Sequence, residues 1–391
     1  MRILIISKCP THPTNAGNRW WILSQAEMFK SLGHDVYFLH ISEMPLRQNS
    51  KAYFESIEKS KKYWGDRYYL FTVSKLQKIK MTLIKYYRKN FCHGFYQVDD
   101  QYPYGLENMV NRLDEQIHFD VCVINYYYLS RLFEFIHIPK KAIATHDCIA
   151  YKNLKVGMPT MCITADTEAK AMQRCPHIFA LQEVEADYFQ LLSPNSEVYN
   201  LYGKYGYHPQ PVVGNHNLLF LSGNNEFNQN GIKWFIKDIF PFIRKTFPDA
   251  ELVVGGGICK MMSSQNNIDG VKVLGYIDNP ANFYAQGDVA INPVYQGTGL
   301  KIKTFESISF DKVVMVHPHS MAGIFKKESA PLFASTNPIE WVEYLEKIWD
   351  NVAEIDNVKI QNKVYLAEMD RFVIAEHAGQ SAARGDRQNL G

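Results

Sequence analysis

Gly297-Thr298-Gly299-Leu300-Lys301-Ile302-Lys303-Thr304-Phe305-Glu306 stands between two apolar runs, Asp288-Val289-Ala290-Ile291-Asn292-Pro293 before it and Lys312-Val313-Val314-Met315-Val316 after it. That order reads as strand, glycine-rich loop, short helix, strand. The glycines let the backbone approach a ligand closely, and the helix offers unpaired N–H groups and the positive end of its dipole to an anion. Lys301 and Lys303 add charge at the same end, and Glu306 falls one turn beyond Lys303 on roughly the same face. A loop built for phosphate with a carboxylate nearby suits a nucleoside diphosphate, with Glu306 accepting from ribose hydroxyls. Taken alone the pattern is short, and lysines at a helix start are commonly only solvated.

The alternation continues in both directions. Leu218–Leu221, Glu251–Val254 and Val271–Leu274 read as strands, with a helix over 231–247 turning Trp234, Phe235, Ile239, Phe242 and Ile243 inward. Gly255-Gly256-Gly257 reads as a tight turn, because G-x-G-x-x-G is not completed. Residues 203–217 carry glycines and prolines without periodicity and form the best linker in the chain. At the N-terminus, a strand over 2–7, a loop over 8–18, a helix from about Arg19 to Leu32 ended by Gly33, and a strand over 35–41 make a βαβ unit. Further strands are expected over 119–124, 142–146 and 178–181. A doubly wound sheet thus starts twice, once in each half of the chain.

The chain has 391 residues, 21% charged and 46% hydrophobic, enough for two or three globular domains. Its net charge of +2 gives no argument for nucleic acid. Seven scattered cysteines without a C-x-x-C disfavour disulfides and structural zinc and fit a reducing compartment. The opening Met1–Ser7 is too short for a signal peptide, and no apolar run approaches a membrane span. Residues 59–89 hold ten Lys/Arg against one acid, Asp66, a local charge of +9, with aromatic and aliphatic residues interleaved. They read either as a basic amphipathic helix for an anionic membrane or as a solvated helix covering the domain.

These residues together resemble a GT-B glycosyltransferase, close to the retaining group called family 4. The resemblance rests on Gly297, Gly299, Lys301, Lys303 and Glu306 followed by Val313–Val316, on Ala322-Gly323-Ile324 after that strand, and on Ala16-Gly17-Asn18-Arg19 after the first strand. Phe220-Leu221-Ser222-Gly223 with Asn230-Gly231 and Trp234-Phe235 resembles the opening of the second domain in bacterial sugar transferases of this group. Two departures stand out. Thr298 occupies the position of the first Glu of the family's Glu-seven-Glu pattern, and Asn224, Asn225 and Asn228 stand where an Arg and a Lys are usual.

The resemblance implies an α/β protein of GT-B fold, two Rossmann-like doubly wound domains facing each other across a cleft. The expected domains are an acceptor-side domain at 1–208 with a basic insertion at 51–93, a donor domain at 209–360, a helix at 361–376 returning to the first domain, and a disordered tail at 377–391. The implied function is transfer of a sugar from a nucleotide-diphosphate sugar to a glycan or lipid-linked acceptor, with retention, in cell-surface polysaccharide synthesis. Its alternatives are a catalytically silent subunit that binds a partner or glycan, and a sugar-nucleotide epimerase. Catalytic roles fall to His146, Lys303 and Glu306, and donor binding to Gly17, Asn18, Gly297, Thr298, Gly299, Lys301, Lys303, Glu306 and Gly323. His146, at the end of a strand and followed by Asp147, corresponds to a His that sits over the donor sugar in the family. Glu183, after another strand, is expected to cap its helix. No D-x-D triplet occurs, so no metal and no other cofactor is expected beside the donor. The expected partners are the nucleotide sugar, the acceptor and an anionic membrane surface reached through 59–89, with the protein cytoplasmic and peripheral on the inner face of the plasma membrane.

Overall fold

In the computed structural model of the protein, residues 1–14, 17–42, 50–155, 162–262, 268–297 and 299–377 are described; Ala16, Thr298 and the expected tail from 378 onward lie outside them. The chain divides into two compact units. One spans Met1–Lys204 and takes the last helix from Val373; the other spans Tyr205–Phe372.

The first unit runs β1 (Arg2–Ser7), α1 (Gly17–Ser31), β2 (Asp35–Ser42), α2 (Ser50–Trp64), β3 (Tyr68–Thr72), α3 (Lys75–Phe91), α4 (Leu106–Ile117), β4 (Val121–Asn125), β5 (Lys140–Ala144), α5 (Lys152–Lys155), α6 (Ala165–Met172), β6 (His177–Ala180), α7 (Glu183–Leu192) and β7 (Glu197–Asn200). Among the described residues these strands form a parallel sheet in the order β3-β2-β1-β4-β5-β6-β7. Ile5 pairs with Phe38 on one side and Val123 on the other. Alternate residues feed opposite faces, as a pleated strand requires. Leu4, Ile6, Leu39, Ile41, Cys122 and Ile124 enter one core, while Ile3, Ile5, Phe38 and Val123 enter another with Ile22, Ala26 and Phe29 of α1. The strand order turns back between β1 and β4, which opens a crevice at their carboxyl ends.

The segment 51–93, read from sequence as a basic insertion, is two helices flanking β3, the edge strand of this sheet. Tyr68-Tyr69-Leu70-Phe71-Thr72 has strand composition, but the surrounding lysines hide it.

The second unit runs β8 (Asn217–Leu221), α8 (Glu226–Trp234), α9 (Phe240–Thr246), β9 (Glu251–Gly255), α10 (Cys259–Met262), β10 (Val271–Gly275), α11 (Pro280–Tyr284), β11 (Val289–Asn292), α12 (Ile302–Ser309), β12 (Val313–Val316), β13 (Leu332–Ala334), α13 (Pro338–Ile348) and α14 (Val352–His377). Its parallel sheet has the order β10-β9-β8-β11-β12-β13, with the turn-back between β8 and β11. Asp288 is buried and accepts from the N–H groups of Val213 (3.0 Å) and Gly214 (2.8 Å), which ties the linker to the start of β11.

The single helix expected over 231–247 is two helices joined by a π-helical turn, Phe235–Ile239. Pro241 lacks the N–H that would continue the α ladder, and the wider turn rotates α9 relative to α8. Phe240 is therefore buried and Phe242, expected inside, is exposed. The helix expected over 361–376 begins at Val352, and its first turns bury Ile355 and Val358 in the second unit's core.

Candidate functional site

In the second unit the candidate site lies at the carboxyl ends of β8 and β11, where the strand order reverses. Gly297 takes φ +92°, a backbone state that favours glycine, and a Cβ there would stand 3.4 Å from the Phe227 ring. Its carbonyl is held twice, by the Lys301 ammonium at 3.1 Å and by His319 Nε2 at 2.8 Å. Lys301 also donates to the Gly299 carbonyl at 3.0 Å and is largely buried. The sequence pattern gives Lys301 to the diphosphate; in the structure its ammonium is committed to the loop's own carbonyls, because these acceptors turn inward and need a donor. Thr298 lies outside the described residues.

α12 starts directly after this loop. Thr304 Oγ1 accepts from the amide of buried Asn292 at the end of β11, 2.8 Å away, which fixes the helix to the sheet. Lys303 then projects toward the β8 side. Its Nζ donates to Asn228 Oδ1 at 2.5 Å and lies 5.4 Å from the centre of the Phe220 ring. Asn228 is itself fixed. Its amide donates to the Gly223 carbonyl at 2.9 Å, and its N–H is received at 2.9 Å by Asn225 Oδ1, the N-cap of α8. Asn225 thus caps α8, and Asn228 aims Lys303.

α8 approaches β11 closely because Gly231 has no side chain; a Cβ there would fall 2.8 Å from the Pro293 carbonyl oxygen. Gly256, at φ +90°, packs the three-glycine turn against Ser222 in the β8 loop, so that turn is structural.

Glu306 sits one turn beyond Lys303. Burial pushes its carboxyl up to about 7, partly opposed by the Lys303 charge. Burial, reinforced by Lys301, pulls Lys303 down to about 7, while Glu306 acts in the opposite sense. Tyr205 and Tyr284, both buried, are raised by burial and then by the nearby Glu306 charge. A desolvated cation and a desolvated carboxylate on one helical face are poised to meet a polyanion and a set of hydroxyls. Gly323, at φ +75°, turns the chain after β12, just past the Pro318–Met321 turn that carries His319.

The first unit has its own polar cluster at the β1/β4 reversal. Gly17 opens α1, and the Asn18 amide donates to Cys9 Sγ (3.1 Å) and to the Tyr126 hydroxyl (3.2 Å). Tyr126 takes φ +74°, uncommon for a bulky residue and the kind of strain that collects at functional sites. Its ring stacks on His146 at 4.0 Å and 11°. His146 Nε2 lies 2.9 Å from Asn125 Oδ1, so Nε2 carries the proton and Nδ1 presents a lone pair. Burial drops the His146 pKa to about 3, and the imidazole is neutral at physiological pH. Glu168 on α6 fixes the loop after β5 by accepting from the N–H groups of Ile149 (3.0 Å) and Ala150 (3.1 Å) and from the Tyr188 hydroxyl (2.8 Å). Glu183 stands in the first turn of α7.

The structure therefore gathers Gly297, Gly299, Lys301, Lys303, Glu306 and Gly323 at one sheet end, and Gly17, Asn18 and His146 at another. Sequence reasoning noted Asn228 only as standing where a basic residue is usual, and missed Asn292, His319, Asn125, Tyr126 and Glu168. Asn125 and Asn292 each end a strand beside the reversal of strand order, and that placement is the signal that could have found them. Among the described residues no cluster of three or more His, Cys, Asp or Glu is placed to hold a metal, and no helix is long and apolar enough to cross a membrane.

Residues 215–351 match the family described as "Glycosyl transferases group 1". A Klebsiella pneumoniae protein described as an uncharacterized 44.6 kDa protein in the cps region is 24% identical over 94% of this chain and 95% of its own length. Among solved structures, Anabaena HepE in complex with UDP superimposes with a TM-score of 0.66 at 11% identity, covering 97% of this chain and 100% of that one. Sucrose-phosphate synthase from Thermosynechococcus elongatus gives 0.63 at 11% identity, covering 97% and 98%. The chain is a glycosyltransferase of the GT-B fold, with a glycosyl transferases group 1 domain at residues 215–351.

Proposed function

We propose that this glycosyltransferase takes a sugar from a uridine diphosphate donor and passes it, with retention, to a glycan or lipid-linked acceptor in cell-surface polysaccharide synthesis. The observation that carries the reading is the Lys303–Asn228 contact beside half-buried Glu306, at the point of strand reversal in the group 1 domain. HepE has been solved with UDP and with UDP-glucose, and the Klebsiella relative comes from a cps region; both support this choice of donor and setting.

In this reading the diphosphate lies against Lys303 and the N-terminal end of α12. Positive charge already fixed where the leaving group's charge develops is often the largest catalytic term, because nothing must reorganise during the reaction. Lys301 acts one step back, by holding the loop carbonyls inward so that the loop presents its N–H groups. Glu306 accepts from the ribose hydroxyls. Neutral His146 supplies an imidazole acceptor to the transferred sugar or to the attacking hydroxyl. The leaving charge is met by Lys303 and the helix N–H groups, with no metal bridge. The test is incubation of the protein with UDP-, GDP- and dTDP-sugars, with detection of nucleotide release and, by NMR, of the anomeric configuration of the product. UDP release above background with retained configuration is expected; release from another donor alone, or inverted product, would sink the corresponding part of the proposal.

A further inference from the structure

Helix α3 is turned the wrong way for an ordinary surface helix. Its buried contact is made by Met81, and on that side Arg88 is tied to Asp100 by two hydrogen bonds of 2.8 and 3.1 Å. The opposite side carries Leu76, Ile79, Leu83, Tyr86, Tyr87 and Phe91, all exposed, Leu76 at 80% and Phe91 at 68%. On a helix of 3.6 residues per turn these positions fall on a single stripe, ~25 Å long over the seventeen residues. Lys75, Lys78, Lys85 and Lys89 line one side of it, Lys80 falls between Tyr87 and Phe91 with its ammonium 4.7 Å from the Tyr104 ring, and the helix contains no acid. A monomer gains nothing by exposing six large apolar side chains on one face, so the stripe has a function outside the fold.

We infer that α3 seats the first unit on an anionic lipid surface, with the apolar stripe entering the headgroup boundary and the flanking lysines meeting lipid phosphates. Charge chooses this occupant. A second copy of the helix would set five lysines against five, whereas an anionic bilayer complements them along the whole length. The tyrosines suit the boundary, with an apolar ring and a polar tip. Capping is sound, since Ser74 accepts from the Gln77 N–H, so the helix is formed before it meets the membrane. The inference stands apart from donor chemistry and does not rest on the UDP reading.

The experiment is co-sedimentation of the full chain with phosphatidylcholine vesicles, with and without phosphatidylglycerol, at low and high salt. Two double variants accompany it, Leu83→Ser/Phe91→Ser and Lys85→Gln/Lys89→Gln, all at exposed positions. Binding is expected only to the anionic vesicles, weakened by salt. The apolar double variant should lower partitioning more than tenfold, and the lysine double variant about fivefold per lysine. Unchanged melting temperature and nucleotide binding would show that neither variant has lost its fold. No association with anionic vesicles, equal association with neutral ones, or a dimer in sedimentation equilibrium that the same substitutions abolish would each overturn the inference.

Discussion

At Lys303 and Glu306, burial works against each group's own charge, and the two are left able to change protonation near neutrality. Donor binding as proposed needs Glu306 ionised and Lys303 protonated. As pH rises through about 7, Glu306 gains its charge and Lys303 loses its own, so kcat/KM should be bell-shaped with a maximum near 7. Glu306→Gln should remove the acid limb, and Lys303→Gln the alkaline one with roughly a hundredfold loss of kcat; a flat profile in wild type would contradict both assignments. Stability carries the opposite sign. A raised carboxyl makes the fold less stable as pH rises from ~4.5 to ~7, and a depressed ammonium makes it more stable as pH rises from ~7 to ~10.5. Both groups therefore oppose folding at pH 7, and Lys303→Met/Glu306→Gln should melt as if stabilised by about 1–2 kcal/mol. His146 gives a sharper reading: its imidazole NMR shifts should stay those of the neutral Nε2–H form from pH 5 to 8, and a titration near 6.5 would show that the desolvated stack on Tyr126 is wrong. Lys303 and Glu306 were readable because their spacing lies within one short helix. Their partners were not: Asn228 is 75 residues from Lys303, and His319 is 22 from Gly297.

At the scale of elements, the strands of both sheets were legible wherever both faces are buried, since Ile3–Ile6 and Val313–Val316 are continuous apolar runs. Three of the four edge strands were not, because β3 lies among lysines, and β7 and β13 are short with weaker apolar signal; the fourth, β10, was read from Val271–Leu274. Phe242 misled for a different reason. A 3.6-residue period assumes an unbroken ladder, and Pro241 breaks it. Two contacts that place the site can be tested by stability. Gly231→Ala would drive a Cβ into the Pro293 carbonyl and should cost about 1–3 kcal/mol in urea melts while loosening the Asn230–Gln296 contact beside the loop. Asp288→Ala would strand the Val213 and Gly214 N–H groups and remove the negative charge that most supports buried Lys312; about 3–5 kcal/mol is expected. A neutral result at either position would mean that the packing at the start or end of β11 is not as described.

For the whole molecule, the two Rossmann-like units were visible in the sequence as two starts of the same strand-helix rhythm on either side of a linker. The chain's length and the group 1 domain account for the transferase fold; the donor's base, the acceptor and the stereochemistry belong to loops whose residues carry no periodic signal. The claim on which the rest depends is that the Lys303–Glu306 face of α12 holds a nucleoside diphosphate. Isothermal titration of UDP into the wild type, Lys303→Met and Glu306→Gln measures this directly. Binding to the wild type, weakened roughly tenfold or more by each substitution with melting behaviour retained, is the predicted result. Undiminished binding in both variants would place the nucleotide elsewhere and contradict the account.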